Sequence, residues 1–231
     1  MEPIRLQKFL AQQGFGSRRN AEQLISDKKV IINGTVAQLG DKVQGNERIF
    51  VEGKKVKPIK HKKKIVAFYK PVGVECTMKS SAETETLADF DFGFFPVFPV
   101  GRLDKDSQGL LLMTNDGDLA NKLMHPRYHH EKEYVVSVNK EVTTQQIEQL
   151  GNGSLKIDGK KVNPAQIKPI SPTVFSIILT EGRNRQIRRM CQAVGLKVID
   201  LLRIRIEKTH LGSLKPGKKR SVDIRFFTDN K

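Results

Sequence analysis

The sequence predicts an α+β protein in two parts: a small basic module of helices and strands, then a larger domain on a mostly antiparallel, mixed sheet. Three observations carry this expectation. Beyond residue 64, apolar runs of strand length outnumber helical periodicities, the texture of a sheet with a few helices rather than of repeated βαβ units. Residues 52–64, "EGKKVKPIKHKKK", hold seven lysines and too few apolar side chains to join a core. The charge is also uneven, with 15 Lys/Arg against 6 Asp/Glu in residues 1–64 and 26 against 19 in the remaining 167. The expected parts are therefore residues 1–51, a flexible basic linker at 52–64, and a domain at 65–231.

The first module is read in order. "IRLQKFLAQQG" sets Leu6, Phe9 and Leu10 at helical spacing, with Gly14 as the stop. Ser17 is the expected N-cap of a second helix, whose Ala21, Leu24 and Ile25 form an apolar stripe. "VIINGTVAQ" reads as strand, Asn33-Gly34 turn, strand. Arg5, Lys8, Arg18, Arg19, Lys28 and Lys29 stay off the stripes, and Arg18 and Arg19 open a helix whose free N–H groups attract phosphate.

In the larger part "IVAFYK", "GLLLMT", "EYVVSV", "VFSIILT" and "KVIDLLRIRI" are strand candidates. "DGDLANKLM" and "RNRQIRRMCQAV" have helical spacing, the first with Asp118 as cap and the second stopped by Gly195. No internal repeat is present.

A formal charge of +16 and a pI near 9.9 attract polyanions, and nucleic acid is the commonest soluble one. Basicity for solubility alone is the weaker reading at this magnitude. Cys76 and Cys191 are too few for a disulfide framework, and five scattered histidines supply no metal-ligand spacing. No secretory signal opens the chain and no apolar run has membrane-spanning length, so a cytoplasmic protein without a membrane partner is expected.

Two features carry chemistry. Asp104 and Asp106 are two residues apart, so in extended chain they point to opposite sides and make a poor facing pair. Lys105 between them, with no third acid nearby, argues against a metal site. That leaves one isolated carboxylate where a charged loop enters the apolar run from Leu110 to Met113. The second feature is a cluster of arginines, with Arg185, Arg188 and Arg189 at i, i+3 and i+4 on one helix face. Such guanidiniums repel unless anions pair with them. RNA phosphate is one candidate anion and Asp104 another, and the residues alone leave both open.

"GRLDKDSQGLLLMTNDGDL", "HEKEYVV" and "EGRNRQIRRMCQAVG" resemble, in order and separation, the motifs of the pseudouridine synthases of the ribosomal small-subunit synthase A family. "FYKPVGV" extends the likeness upstream, and residues 4–50 resemble the small RNA-binding domain first recognised in ribosomal protein S4. The resemblance covers nearly the whole chain, and "KDSQG" with "HEKEY" is closest to the large-subunit branch. It implies isomerisation of uridine to pseudouridine on a flipped-out base in a ribosomal RNA stem-loop, by a monomer without cofactor or metal. It implies that Asp104 is the catalytic aspartate, that Tyr134 packs on the base, that Arg188 pairs with Asp104, and that Arg102 fills the vacated stack. Lys105, Lys132, Arg183, Arg185 and Arg189 are the remaining candidates for RNA contact in this domain. A small-subunit or tRNA substrate stays open, as does a non-catalytic ribosome-assembly factor, although a binding protein needs no Asp104, Tyr134 and Arg188 together.

Overall fold

Ser17 and the Asn33-Gly34 pair act in the computed structural model as their chemistry predicts. Strand β1 (Ile4–Arg5) leads into helix α1 (Leu6–Gln12), and α2 (Arg18–Ser26) follows. Ser17 Oγ accepts from the Asn20 N–H while Asn20 Oδ1 accepts from the Ser17 N–H, a reciprocal cap. Strands β2 (Val30–Ile32) and β3 (Thr35–Val36) are joined through Asn33 at φ 50° and Gly34 at φ 90°, the left-handed pair of a type I′ turn. Strand β4 (Lys42–Val43) pairs with β1, and β5 (Ile49–Val51) lies beside β2.

The structure describes residues 2–57, 59, 62–94 and 96–228, in two units, Met1–Lys62 and Lys63–Lys231. The expected linker at 52–64 is corrected at both ends. Glu52 and Gly53 make a left-handed turn, β6 (Lys54–Lys55) pairs with β5, and Val56 is buried with Leu6, Leu10 and Ile49. One valine and a hairpin are enough to fasten a lysine-rich stretch. At the other end Lys63 pairs with Asp116 at 2.8 Å, and the Lys64 N–H donates to Asn115 Oδ1 at 2.8 Å. Pro58, Lys60 and His61 of the expected linker lie outside the described residues.

The second unit is built on one nine-stranded sheet. Its strands in chain order are β7 (Ile65–Lys70), β8 (Phe98–Val100), β9 (Gln108–Thr114) and β10 (Lys132–Val138). After a separate hairpin of β11 (Lys156–Ile157) and β12 (Lys160–Lys161) come β13 (Gln166–Ser171), β14 (Val174–Leu179), β15 (Val198–Ile206), β16 (Thr209–His210) and β17 (Lys219–Ser221). The order is β13-β14-β10-β15-β9-β7-β17, with β16 on β15 and β8 on β9. Every pairing is antiparallel except β9 with β15, so the expectation of a mostly antiparallel mixed sheet holds.

Helices α3 (Gly117–Met124), α4 (Thr144–Gly151), α5 (Gln186–Ala193) and α6 (Arg225–Thr228) complete the unit. Two helix starts differ from expectation. Asp116, not Asp118, caps α3, since its Oδ1 accepts from the N–H groups of Asp118 and Leu119. Helix α5 starts only at Gln186, because Arg185 is left-handed at φ 50°.

Strand β9 explains its own apolar run. Leu110 and Leu112 enter the core beneath α3, while Leu111 and Met113 enter a second core with Phe68, Leu87 and Phe92 on the opposite face. A strand covered on both faces reads as continuous apolar sequence, each buried side chain contributing roughly 1.5–3 kcal/mol. A third cluster joins β10, β14 and α5 through Val136, Phe175, Ile177 and Met190. Among the described residues no helix is long and apolar enough to cross a membrane.

Candidate active site

The loop between β8 and β9 carries Asp104. Its turn closes with the Ser107 N–H donating to the Asp104 carbonyl at 3.1 Å, and the Gly73 N–H fastens the Lys105 carbonyl at 2.8 Å. Behind it Lys70 is fully buried, its Nζ donating to the carbonyls of Pro71 at 2.8 Å and Val74 at 2.7 Å. Burial lowers the pKa of this ammonium, and the nearby Cys76, Asp104 and Asp106 oppose that push. Lys70 therefore ties the "KPVGV" turn from within and faces the acidic loop with a desolvated charge.

Past the loop, Gly109 has no alternative. A Cβ there would lie 2.3 Å from the Arg203 carbonyl oxygen and 2.7 Å from its nitrogen, at a φ of +107°. This approach forms the parallel seam, where Gly109 sits opposite Arg203 and Gln108 opposite Leu202. On the other side of β15 a register shift leaves Glu133 opposite Arg205 but Tyr134 opposite Arg203. Tyr134, Arg203 and Gly109 thus form a row across three strands, and the chain at the end of that row leads back to Asp104.

Over this row lies a cavity of about 600 Å³, lined among others by Arg102, Asp104, Lys132, Tyr134, Arg185 and Arg203. It joins two carboxylates, Asp104 and Glu181, one tyrosine face and several cations. Arg102 is exposed at its wall. Lys132 is half-buried with its Nζ donating to the His130 carbonyl at 2.9 Å, and burial, with help from Arg203, lowers its pKa.

The expected pair of Asp104 with Arg188 is not formed. Arg188 donates to the Asp106 carbonyl at 2.7 Å, to Ser107 Oγ at 3.3 Å and to the Val198 carbonyl at 3.3 Å. Its Nε lies 3.3 Å from Asp106 Oδ2, an ion-pair distance without hydrogen-bond geometry. Arg188 clasps the loop to β15 from beneath. The guanidinium that reaches Asp104 is that of Arg185, at 3.8 Å, and it grips Asp106 more closely through two bonds of 3.1 and 2.8 Å. Arg185 is the left-handed residue just before the first turn of α5, so it lies outside the regular helix and its side chain reaches the loop. The Arg185 hydrogen bond holds the Asp106 carboxyl below the usual carboxylate range.

The other arginines expected to meet RNA are engaged within the protein. Arg189 makes two bonds to Asp158, at 3.0 and 2.6 Å. Arg183 pairs with Glu181 and donates to the carbonyls of Lys160 and Lys161, at 3.0 and 2.6 Å. Both fasten the β11–β12 hairpin, and the helical spacing conceals this because the acceptors come from a distant turn. Lys105 pairs with Glu75 at 3.2 Å. In the first unit Arg5, Arg18, Arg19 and Lys28 are exposed and Lys8 is partly buried; Arg5 donates to the Gly40 carbonyl, and Lys29 pairs with Glu52 at 2.9 Å.

Sequence reasoning missed Lys70, the His130–Glu207 pair at 3.0 Å, and Arg203. Only Arg203 left a signal. An arginine within the run "LLRIRI", in a strand expected to be buried, requires a partner or a purpose.

Residues 64–193 match the family described as RNA pseudouridylate synthase, and residues 4–49 match the S4 domain. The dual-specificity RNA pseudouridine synthase RluF of Escherichia coli strain K12 is 39% identical over 220 residues, spanning 95% of this chain and 75% of that protein. The ribosomal large subunit pseudouridine synthase B of Bacillus subtilis strain 168 is 39% identical over 227 residues, 94% of this chain and 91% of that one. A solved structure titled "Crystal structure of pseudouridylate synthase" shares 27% identity, with a TM-score of 0.71 over 97% of this chain and 98% of that one.

Proposed function

This chain belongs to the RNA pseudouridylate synthase family, and on that premise we propose that it isomerises a uridine of large-subunit ribosomal RNA, with Asp104 as the catalytic carboxylate. The observation that carries the assignment is Asp104 at the wall of a cavity shared with Tyr134 and Arg102. Isomerisation detaches uracil from C1′ of its ribose, turns it, and rejoins it through C5. Atoms and electrons are conserved, so no redox cofactor is needed. A uridine enters such a cavity by leaving its helix, at a cost of a few kcal/mol that stacking on Tyr134 and filling of the gap by Arg102 offset.

Asp104 acts as nucleophile or proton acceptor toward the bound nucleotide. Arg185, the guanidinium nearest it, supplies the neighbouring positive charge, and Arg188 positions the loop from beneath. A loop held at both ends and leading into a rigid strand keeps the carboxylate where the reacting atoms are. The S4 unit contributes Arg5, Lys8, Arg18, Arg19 and Lys28 toward RNA phosphates, and the enzyme acts as a cytoplasmic monomer. A second RNA target is the other reading, favoured by the dual specificity printed in the name of the RluF relatives.

The test is to map pseudouridine in ribosomal and transfer RNA from cells lacking the protein, then in cells given back the wild type or Asp104→Asn. A site in large-subunit RNA should vanish, return with the wild type, and stay absent with Asp104→Asn. Restoration by Asp104→Asn would end the assignment of Asp104, and an unchanged map would end the substrate assignment.

A further inference from the structure

Arg203 lies under the cavity in an arrangement that a purely structural arginine does not need. It is 2% exposed. Its Nε donates to the Leu110 carbonyl at 2.6 Å, while its buried Nη2 has no hydrogen-bond partner among the described residues. The guanidinium carbon is 6.0 Å from the centre of the Tyr134 ring, and both side chains line the cavity. Leaving a buried charged donor unpaired forfeits its hydration without replacing it, so a retained unpaired donor calls for an absent acceptor. Its neighbourhood is cationic as well, since Lys132 lines the same cavity and Lys70 is buried nearby. Of the carboxylates lining the cavity, Asp104 lies nearest Arg185 and Glu181 is held by Arg183 and Gln186. The Arg203 donor is therefore left without an anion beside an aromatic face.

We propose that Arg203 is a catalytic residue that binds the negative charge developing on uracil as the glycosidic bond breaks. The inference rests on the pseudouridine synthase reading of this cavity. When the bond between C1′ and N1 breaks, both electrons leave with the base, and the charge spreads from N1 onto O2 and O4. A base held against Tyr134 presents one of these oxygens to the free N–H of Arg203. The base then turns, C5 supplies the electron pair of the new bond to C1′, the C5 hydrogen departs as a proton, and N1 takes up a proton. A guanidinium suits the intermediate stage because it does not give up its own proton. It holds the anion without neutralising it, so C5 keeps its nucleophilicity. An ordinary acid at that place would quench the ring before it could rejoin the sugar.

The experiment compares full-length wild type with Arg203→Gln under single-turnover conditions on two versions of one substrate RNA. One carries uridine at the target and the other 5-fluorouridine, whose more acidic base departs as a more stable anion. Loss of the target nucleoside is followed by chromatography of digested RNA. Removing a charge-stabilising donor of this kind should slow uridine by roughly 100-fold and 5-fluorouridine by less than about 10-fold. RNA affinity should be unchanged, and Arg203→Lys should recover much of the uridine rate. Equal slowing of both nucleosides would mean that Arg203 only supports Leu110, and would overturn the proposal. Should the glutamine variant fail to fold, Arg203→Met serves the same comparison. A wild type that converts no uridine in any RNA from cells lacking the protein sinks the synthase reading, whereas an active wild type with equal slowing sinks only the role of Arg203.

Discussion

Substituting Gly109 with alanine should destabilise the second unit by about 4 kcal/mol. Two costs add. The backbone at φ +107° is a conformation that L side chains rarely adopt, and holding alanine there costs on the order of 1–3 kcal/mol. The new Cβ would also meet the Arg203 carbonyl oxygen at 2.3 Å and Leu202 Cδ1 at 2.9 Å, against ordinary contact from 3.4 Å. Because the nearest atoms are backbone, the seam between β9 and β15 must open by about 1 Å, and such overpacking costs roughly 1–3 kcal/mol. The seam is only two residue pairs long, so little else resists the opening. The assay follows from composition. The chain has no Trp, and its three tyrosines, Tyr69, Tyr128 and Tyr134, all lie in the second unit, so tyrosine fluorescence reports that unit in the intact protein. With a guanidinium slope on the order of 4 kcal/mol per M, the midpoint should fall by about 1 M. Gly159→Ala is the control, since its φ is +74° but an added Cβ meets nothing within 4 Å. It should cost only about 1–2 kcal/mol. Equal midpoint shifts for the two variants would refute the steric account of the seam.

Three further outcomes are expected. Arg188→Ala releases the Asp106 carbonyl and Ser107 Oγ, so single-turnover rates should fall while RNA affinity, read by filter binding, stays near wild type; a loss confined to affinity would make Arg188 a phosphate contact. Replacing Arg18 and Arg19 together with alanine should reduce the slope of log affinity against log salt by up to about 2, and an unchanged slope would remove them from the RNA interface. Asp106 has its carboxyl held below the usual range by Arg185, so its stabilising contribution is present above the ordinary carboxylate pKa and is lost as pH falls through the lowered value. The gap in urea midpoint between wild type and Asp106→Asn should therefore be widest near neutrality and shrink as the pH is taken toward about 3; a gap that grows on acidification would contradict the assigned pairing.

Much of this protein was legible before any coordinates. The Ser17 cap, the Asn33-Gly34 turn and the five long strand candidates depend on neighbours close in the chain, and all appear where their residues predict them. The linker was misjudged because Val56 becomes buried through a pairing with β5 that composition does not express. The arginine cluster was misjudged for the same reason. Its i, i+3, i+4 spacing is local, but Asp106 and Asp158, which decide what each guanidinium does, arrive from loops far away in the chain.

From the sequence alone come the two-part organisation, the polyanion-seeking charge, and an isolated carboxylate at the mouth of a doubly buried strand, for these follow from composition and short-range periodicity. Which guanidinium faces Asp104 depended on one left-handed arginine ahead of α5. That Arg203 keeps an unpaired donor beside Tyr134 depended on a glycine thin enough to let β9 and β15 touch and on a one-residue bulge in β15 where it pairs with β10. Contacts of that kind depend on sheet register, and register is chosen by the packing of the whole domain.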